Sequence, residues 1–466
     1  MRARLIGVVI ALVAAVACSD ARGDTEATDP APVTQPSQTS APGAADPDDP
    51  DALGSEAAPG SNTPAVMTPA GPAIVDGAAN SLVLVHDIDG GDRMLVAYRA
   101  DGTEVANYSA GAGELVVQPI WSPDGRRVAW VRSADGATWE LVTVAADGGD
   151  RTVHPLPGRP DYITYDPTVS RLLALTPSPE GFGLVIIELD PETGQEPAGG
   201  PFEQIDLGVP YFSDFAPAGD RLVAHVATDV RIVELTGEKR SLALTAGTHQ
   251  TPLWHPIDDT VFYTAVTEDG EQLISRQLGT EVTTELGEIV GFVLFDIDPA
   301  GEQLAVMAYG NPPDSGLQAL RGPGAQRPTS ARPTVLDTGL WIIDVDDGRA
   351  RLLDNQPTSA PIWDPTGSRV LVRDALGGAG RWKVLGLDGT SASTELFDID
   401  RTLVPGYLPF WDQYVRSQTV WSPDGQQFVH VGRSVDGTSG VWIHDAATSG
   451  PSTWLADGEI AFWSPT

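Results

Sequence analysis

The pentapeptide Trp-Ser-Pro-Asp-Gly occurs at 121–125 and again at 421–425, followed in each case by an apolar stretch, VAWV in one copy and FVHV in the other. Looser versions stand between and after them: YDPTVS from Tyr165, FAPAGD from Phe215, WHPIDD from Trp254, IDPAGE from Ile297, WDPTGS from Trp363 and a truncated WSPT from Trp463. The aligned prolines are Pro123, Pro167, Pro217, Pro256, Pro299, Pro365, Pro423 and Pro465, separated by 44, 50, 39, 43, 66, 58 and 42 residues. A turn word returning at about 40–45 residues is the period of a four-stranded propeller blade, and a sandwich of equally short strands has no reason to repeat one word. The expected fold is therefore an all-β, eight-bladed β-propeller. The two long intervals leave a seven-bladed segmentation as the alternative.

Each letter has a physical role. Proline fixes φ near −65° at the second position of a turn, Asp tolerates the third, and glycine takes a backbone shape that a side chain blocks. The aromatic ahead of the turn is large enough to fill the wedge between neighbouring blades. Trp121, Pro123 and Gly125, with Trp254, Trp363, Trp421, Pro423, Gly425 and Trp463, are thus the repeat-defining residues. The two ends of the repeat region are complementary fragments. EIAFWSPT at 459–466 reads as one innermost strand, and SLVLVHDIDGGDRMLVAYRADGTEVANY at 81–108 reads as the remaining strands of a blade. Pairing them closes a ring with ordinary sheet hydrogen bonds, which suits a chain with a single cysteine and hence no internal disulfide.

Residues 1–17, MRARLIGVVIALVAAVA, combine two arginines with an apolar run from Leu5 to Ala17 that is too short to span a bilayer as a mature helix. The next residue, Cys18, is the only cysteine. This stretch resembles a bacterial lipoprotein signal, which implies cleavage before Cys18, its acylation, and a mature protein held to a bacterial membrane by lipid while facing the periplasm or the cell exterior. Residues 18–75 are rich in Ala, Pro, Asp, Ser, Thr and Gly and have no periodic apolar pattern, so they are expected to form a disordered tether ahead of a propeller at 76–466.

The aromatic-Ser-Pro-Asp-Gly word followed by an apolar strand resembles the WD40-like repeat of TolB-type propellers, which also occurs in prolyl-oligopeptidase-like enzymes. The resemblance covers roughly 76–466 and rests chiefly on the copies at Trp121, Trp363 and Trp421. It implies the propeller. It does not carry over the Tol-system role, because TolB bears a small α/β domain where this chain has its tether.

Signals for catalysis are sparse: no nucleophile elbow, zinc-protease helix, phosphate loop or dinucleotide fingerprint is present. The histidines are scattered, and His225 and His430 read as packing residues. Acidic turns at Asp87, Asp89 and Asp92, and at Asp344, Asp346 and Asp347, have the alternate-position oxygens that Ca²⁺ takes but lack the terminal bidentate glutamate; hairpin chemistry explains them equally well. No cofactor is expected. Asp161, Asp214, Gln250, Asp296 and Glu459 precede the repeat aromatics and are candidates for lining one mouth of the channel.

Two insertions account for the long intervals. One, from Gly310 to Thr334, carries Arg321, Arg327 and Arg332; the other, from Arg401 to Ser417, brings Tyr407, Phe410, Trp411 and Tyr414 within eight positions. Such rigid aromatic surface suits a partner, although the same rings serve equally to cap a gap between blades. A formal net charge of −36 argues against nucleic acid as a partner and favours cationic ones. The expected function is a non-catalytic scaffold that binds an envelope protein or a small extracytoplasmic ligand. A propeller enzyme of the glycoside hydrolase, lyase or quinone-dependent dehydrogenase kind, with its site at the channel mouth, is the alternative.

Overall fold

In the computed structural model, strand pairing joins the two ends of the repeat region. Leu82–His86 pairs antiparallel with Ile460–Trp463, placing Val83 opposite Trp463, Leu84 opposite Phe462 and Val85 opposite Ala461. Leu95–Arg99 and Glu104–Asn107 complete that sheet, which we number blade 8. The structure describes residues 81–466 apart from 88–93, 110–114, 179, 190–202, 210, 248–250, 311–333, 375–377, 399–410 and 415–416. The lipoprotein-like leader, Cys18 and the expected tether lie outside the described residues.

Seven further sheets follow in chain order; the innermost strand ends at a repeat aromatic in blades 1–4 and 6 and at Ile297 in blade 5. Blade 1 runs from Leu115–Trp121 outward to Thr152–Leu156, blade 2 from Tyr162–Tyr165 to Glu203–Leu207, and blade 3 from Tyr211–Phe215 to Lys239–Ala243. Blade 4 starts at Leu253–Trp254, blade 5 at Phe292–Ile297 and blade 6 at Ile362–Trp363. Blade 7 is built on Gln427–Ser434, Ser439–Asp445 and Thr453–Ala456, with Trp421 bridged to Phe428 on its inner side. The protein is an eight-bladed β-propeller, and the two long intervals are insertions rather than missing blades.

Both insertions leave from the end of the ring where the innermost strands begin. The first lies between Gln303–Tyr309 and Gly339–Asp344 of blade 5, and its last residues, Thr334–Leu336, run parallel to Gly287–Ile289 as a fifth strand on blade 4. The second lies on the connection from blade 6 to blade 7. Ahead of it, Phe397–Asp398 pairs with the second strand of blade 7 and with Ala379–Gly380.

At the opposite end, four of the repeat words form hydrogen-bonded turns in two forms. In the Ser-Pro-Asp form, Ser122 Oγ donates to Asp124 Oδ1 at 2.6 Å and accepts the Arg127 amide at 3.0 Å; Ser422, Asp424 and Gln427 repeat this at 2.6 and 2.9 Å. In the Asp-Pro-Thr form the partners exchange places: Thr168 Oγ1 donates to Asp166 Oδ2 at 2.5 Å, and Asp166 Oδ1 accepts the Arg171 amide at 2.9 Å. Thr366, Asp364 and Arg369 do the same at 2.8 and 3.1 Å. Gly125 has φ +68°, and a Cβ there would strike the Thr466 hydroxyl, so glycine is required both by backbone shape and by the approach of the last residue.

The apolar side chains gather into clusters shared by consecutive blades. Trp121 packs with Leu84 and Phe462 between blades 8 and 1, Tyr165 with Ile120 and Val131 between blades 1 and 2, and Trp254 with Val223 and Ile232 between blades 3 and 4. The repeat aromatic is thus the wedge filler that its position implied. Arginine supports two of these seams: the Arg221 guanidinium lies 5.3 Å from the Trp254 ring and that of Arg369 lies 5.4 Å from Trp421.

Candidate functional site

The candidate site is the end of the channel where the innermost strands start, because the chain itself converges there. Trp411–Tyr414 forms a single helical turn, and with Ser417 and Gln418 it reaches innermost strands of several blades. The Gln413 side chain is buried. Its Oε1 accepts the Ser213 amide at 2.8 Å, and its Nε2 donates to the Ser213 carbonyl at 2.9 Å, so one amide does for blade 3 what a neighbouring strand would do. Gln418 Nε2 donates to the Pro119 carbonyl of blade 1 at 3.2 Å.

Blade 2 supplies the third anchor. The Tyr162 and Tyr414 rings lie 5.9 Å apart at 50°, Tyr162 donates to the Gln413 carbonyl at 3.3 Å, and Tyr414 donates to the Asp161 carbonyl at 3.4 Å. The Gln118 side-chain amide also donates to the Asp161 carbonyl. Gln118 reaches it from a bulge between Val117 and Ile120, with φ +52°. Burial, reinforced by Tyr162 and Asp161, pushes the Tyr414 phenol up to about 12. Desolvation likewise raises the Asp161 carboxyl, with Arg159 opposing it. Arg159 in turn lies over the Trp139 ring at 5.6 Å.

The candidate acids do not form one ring around this mouth. Asp161 stands there, at the start of its strand. Asp214 and Asp296 sit one residue before the last position of theirs, Phe215 and Ile297, and reach sideways to the next blade. Asp214 Oδ2 accepts the Trp254 amide at 2.8 Å, Asp296 Oδ2 accepts the Trp363 amide at 3.2 Å, and Trp363 Nε1 donates to the Asp296 carbonyl at 3.2 Å. The reason is the pleat: side chains one position before a wedge-filling aromatic leave the opposite face of the strand. Glu459 lines a groove of about 130 Å³ between blades 7 and 8 with Asp87, Arg433, Asp457 and three glycines. Gln250 lies outside the described residues.

Among the aromatics of the second insertion, Tyr414 is packed against the cluster between blades 2 and 3. Trp411 opens the helical turn, and Tyr407 and Phe410 lie outside the described residues. Of the acidic turns, Asp89 and Asp92 also lie outside. Asp344 Oδ1 accepts the amides of Asp346 and Asp347, each at 3.1 Å, and Asp347 pairs with Arg349. Among the described residues, no three His, Cys, Asp or Glu side chains are grouped as a metal site would need. Of the residues that join the insertion to the ring, Ser213, Gln118, Gln413 and Gln418 carry no motif. An amide placed inside an insertion that returns to the ring is the only trace they leave in the sequence.

No family model matches the chain, and no curated protein matches it in sequence. Solved structures resemble it at low sequence identity. A eukaryotic initiation factor is 13% identical with a TM-score of 0.50, covering 83% of this chain and 98% of its own. TolB from Acinetobacter baumannii is 14% identical with a TM-score of 0.35, covering 67% and 63%. An oligogalacturonate lyase from Vibrio parahaemolyticus is 10% identical with a TM-score of 0.42, covering 72% and 84%.

Proposed function

We infer that the chain is a lipid-anchored, extracytoplasmic binding scaffold that receives a protein partner on the face around Gln413 and Tyr414, without catalysis of its own. The observation that carries this reading is the attachment of the 411–418 segment to blades 1, 2 and 3. That face then offers a fixed surface in place of an open cavity. The connections around it expose Leu115, Val209, Leu244, Val266, Leu396 and Val435, a larger apolar set than Ile257 and Val282 make at the turn end. The strongly acidic balance favours a partner that carries positive charge and meets these apolar side chains with its own.

Export and anchoring are part of the same reading and rest on the leader and Cys18. Photo-crosslinking from position 209 or 435 in intact cells tests the whole. One discrete, salt-sensitive adduct is expected from either position and none from position 257, which is exposed at the opposite end. Equal yields from both ends, or no adduct at any position, would refute the reading.

A further inference from the structure

At the turn end of blade 7, away from the face just described, one hydroxyl lies between two imidazoles. Ser452 Oγ is 3.1 Å from His444 Nδ1 and 3.0 Å from His430 Nε2, and His444 Nε2 is 3.0 Å from the Thr448 carbonyl. These contacts fix the hydrogens. A carbonyl only accepts, so His444 carries its hydrogen on Nε2 and, being neutral, presents a lone pair at Nδ1. The Ser452 hydroxyl therefore donates to His444, and the remaining contact is His430 Nε2–H donating to Ser452 Oγ.

The surroundings hold this arrangement in place. His430 is buried, with the Phe397 ring 4.6 Å away edge-on, Phe428 at 5.9 Å and Trp382 at 6.4 Å. Burial lowers the pKa of both histidines. His444 and Arg373 add to the effect at His430, while the Thr448 backbone hydrogen bond, Asp445 and Glu395 partly oppose it at His444. Ser452, unlike His430, is only half-buried and stands where the network meets solvent.

We propose that Ser452 is an activated nucleophile that accepts the acyl group of a small activated ester, with His444 as its general base and the Thr448 carbonyl orienting that base. In the step, the Oγ–carbon bond forms as the hydroxyl proton passes to His444 Nδ1. The ester carbon–oxygen bond then breaks, and the leaving oxygen takes that proton. The products are an O-acyl serine and a free alcohol, and nothing is oxidised or reduced. The N–H of His430 meets the charge that develops on Oγ.

The test treats the full chain with p-nitrophenyl acetate and maps the acetylated peptides. A single acetyl group on Ser452 is expected, introduced about 100-fold faster than on any other serine. Its rate should rise as His444 loses its proton and level off at a lower pH than a free imidazole would give. Ser452→Ala should abolish the modification, and His444→Gln should slow it about 100-fold. The wild-type pH profile decides the matter even where His444→Gln disturbs packing. Acetyl groups spread over many side chains, or a rate that keeps climbing with hydroxide, would overturn the proposal and leave the network a turn support only.

Discussion

The side-chain amide of Gln413 is bonded to both the amide and the carbonyl of Ser213, a residue 200 positions earlier in the chain. One side chain thereby ties an insertion to a strand that has no other connection with it in sequence.

Gln413→Ala should leave both backbone groups of Ser213 without a partner in a buried setting, at a cost of about 2 kcal/mol. Hydrogen exchange of the Ser213 amide should speed up while exchange within the outer strands of blade 3 stays unchanged. Exchange at the wild-type rate would mean that the clasp does not persist in solution.

Asp166 is fully buried and accepts from Thr168, Ser170 and the Arg171 amide. Asp166→Ala should cost about 3 kcal/mol in urea unfolding, since the amide and both hydroxyls lose a charged acceptor. The double variant Asp166→Ser with Thr168→Asp rebuilds the arrangement found at Ser122 and Asp124 and should recover most of that loss. No recovery would show that the two turn forms are not equivalent.

Phe462 is buried between the first-made strands of the ring and blade 1. Phe462→Ala should cost about 3–5 kcal/mol and lower the midpoint of a single cooperative transition. A loss below about 1 kcal/mol, or a separate early transition confined to blade 8, would show that the joint merely frays.

Burial holds His86 near a pKa of about 4 and His430 near about 3, against roughly 6.5 in an unfolded chain. The unfolded state therefore binds more protons than the native state below pH 6.5. Stability contributed by these rings is complete above that value and is lost as pH falls toward their folded pKa values, by roughly 1.4 kcal/mol per pH unit for each ring. Urea midpoints between pH 7 and about pH 5 should fall accordingly, and His430→Phe should flatten the slope. A midpoint independent of pH over that window would contradict the neutral assignment of both rings.

The blades were legible because their cues are local. An aromatic, a proline and a glycine within five residues fix a turn whatever lies elsewhere, and the complementary fragments at 81–108 and 459–466 require each other. The mouth was not legible in the same way. Whether an acid before the aromatic faces the channel or the next blade depends on the pleat and on how closely the neighbouring amide approaches, as at Asp214 and Trp254. Gln413 and Ser213 share no periodicity, and Thr334–Leu336 joins blade 4 although the chain around it belongs to blade 5. Such pairings arise from where an insertion lands, which no short stretch of sequence encodes.

The joint between Leu82–His86 and Ile460–Trp463 also sets an order of events during synthesis. Leu82 hydrogen-bonds to Ser464, 382 residues later, so strands made early must keep one edge open until residues 460–464 have been made. A ribosome that stops early releases a chain with an unsealed edge, exposed to proteases and chaperones. Circular closure in this way makes folding of the ring conditional on residues 460–463 being present.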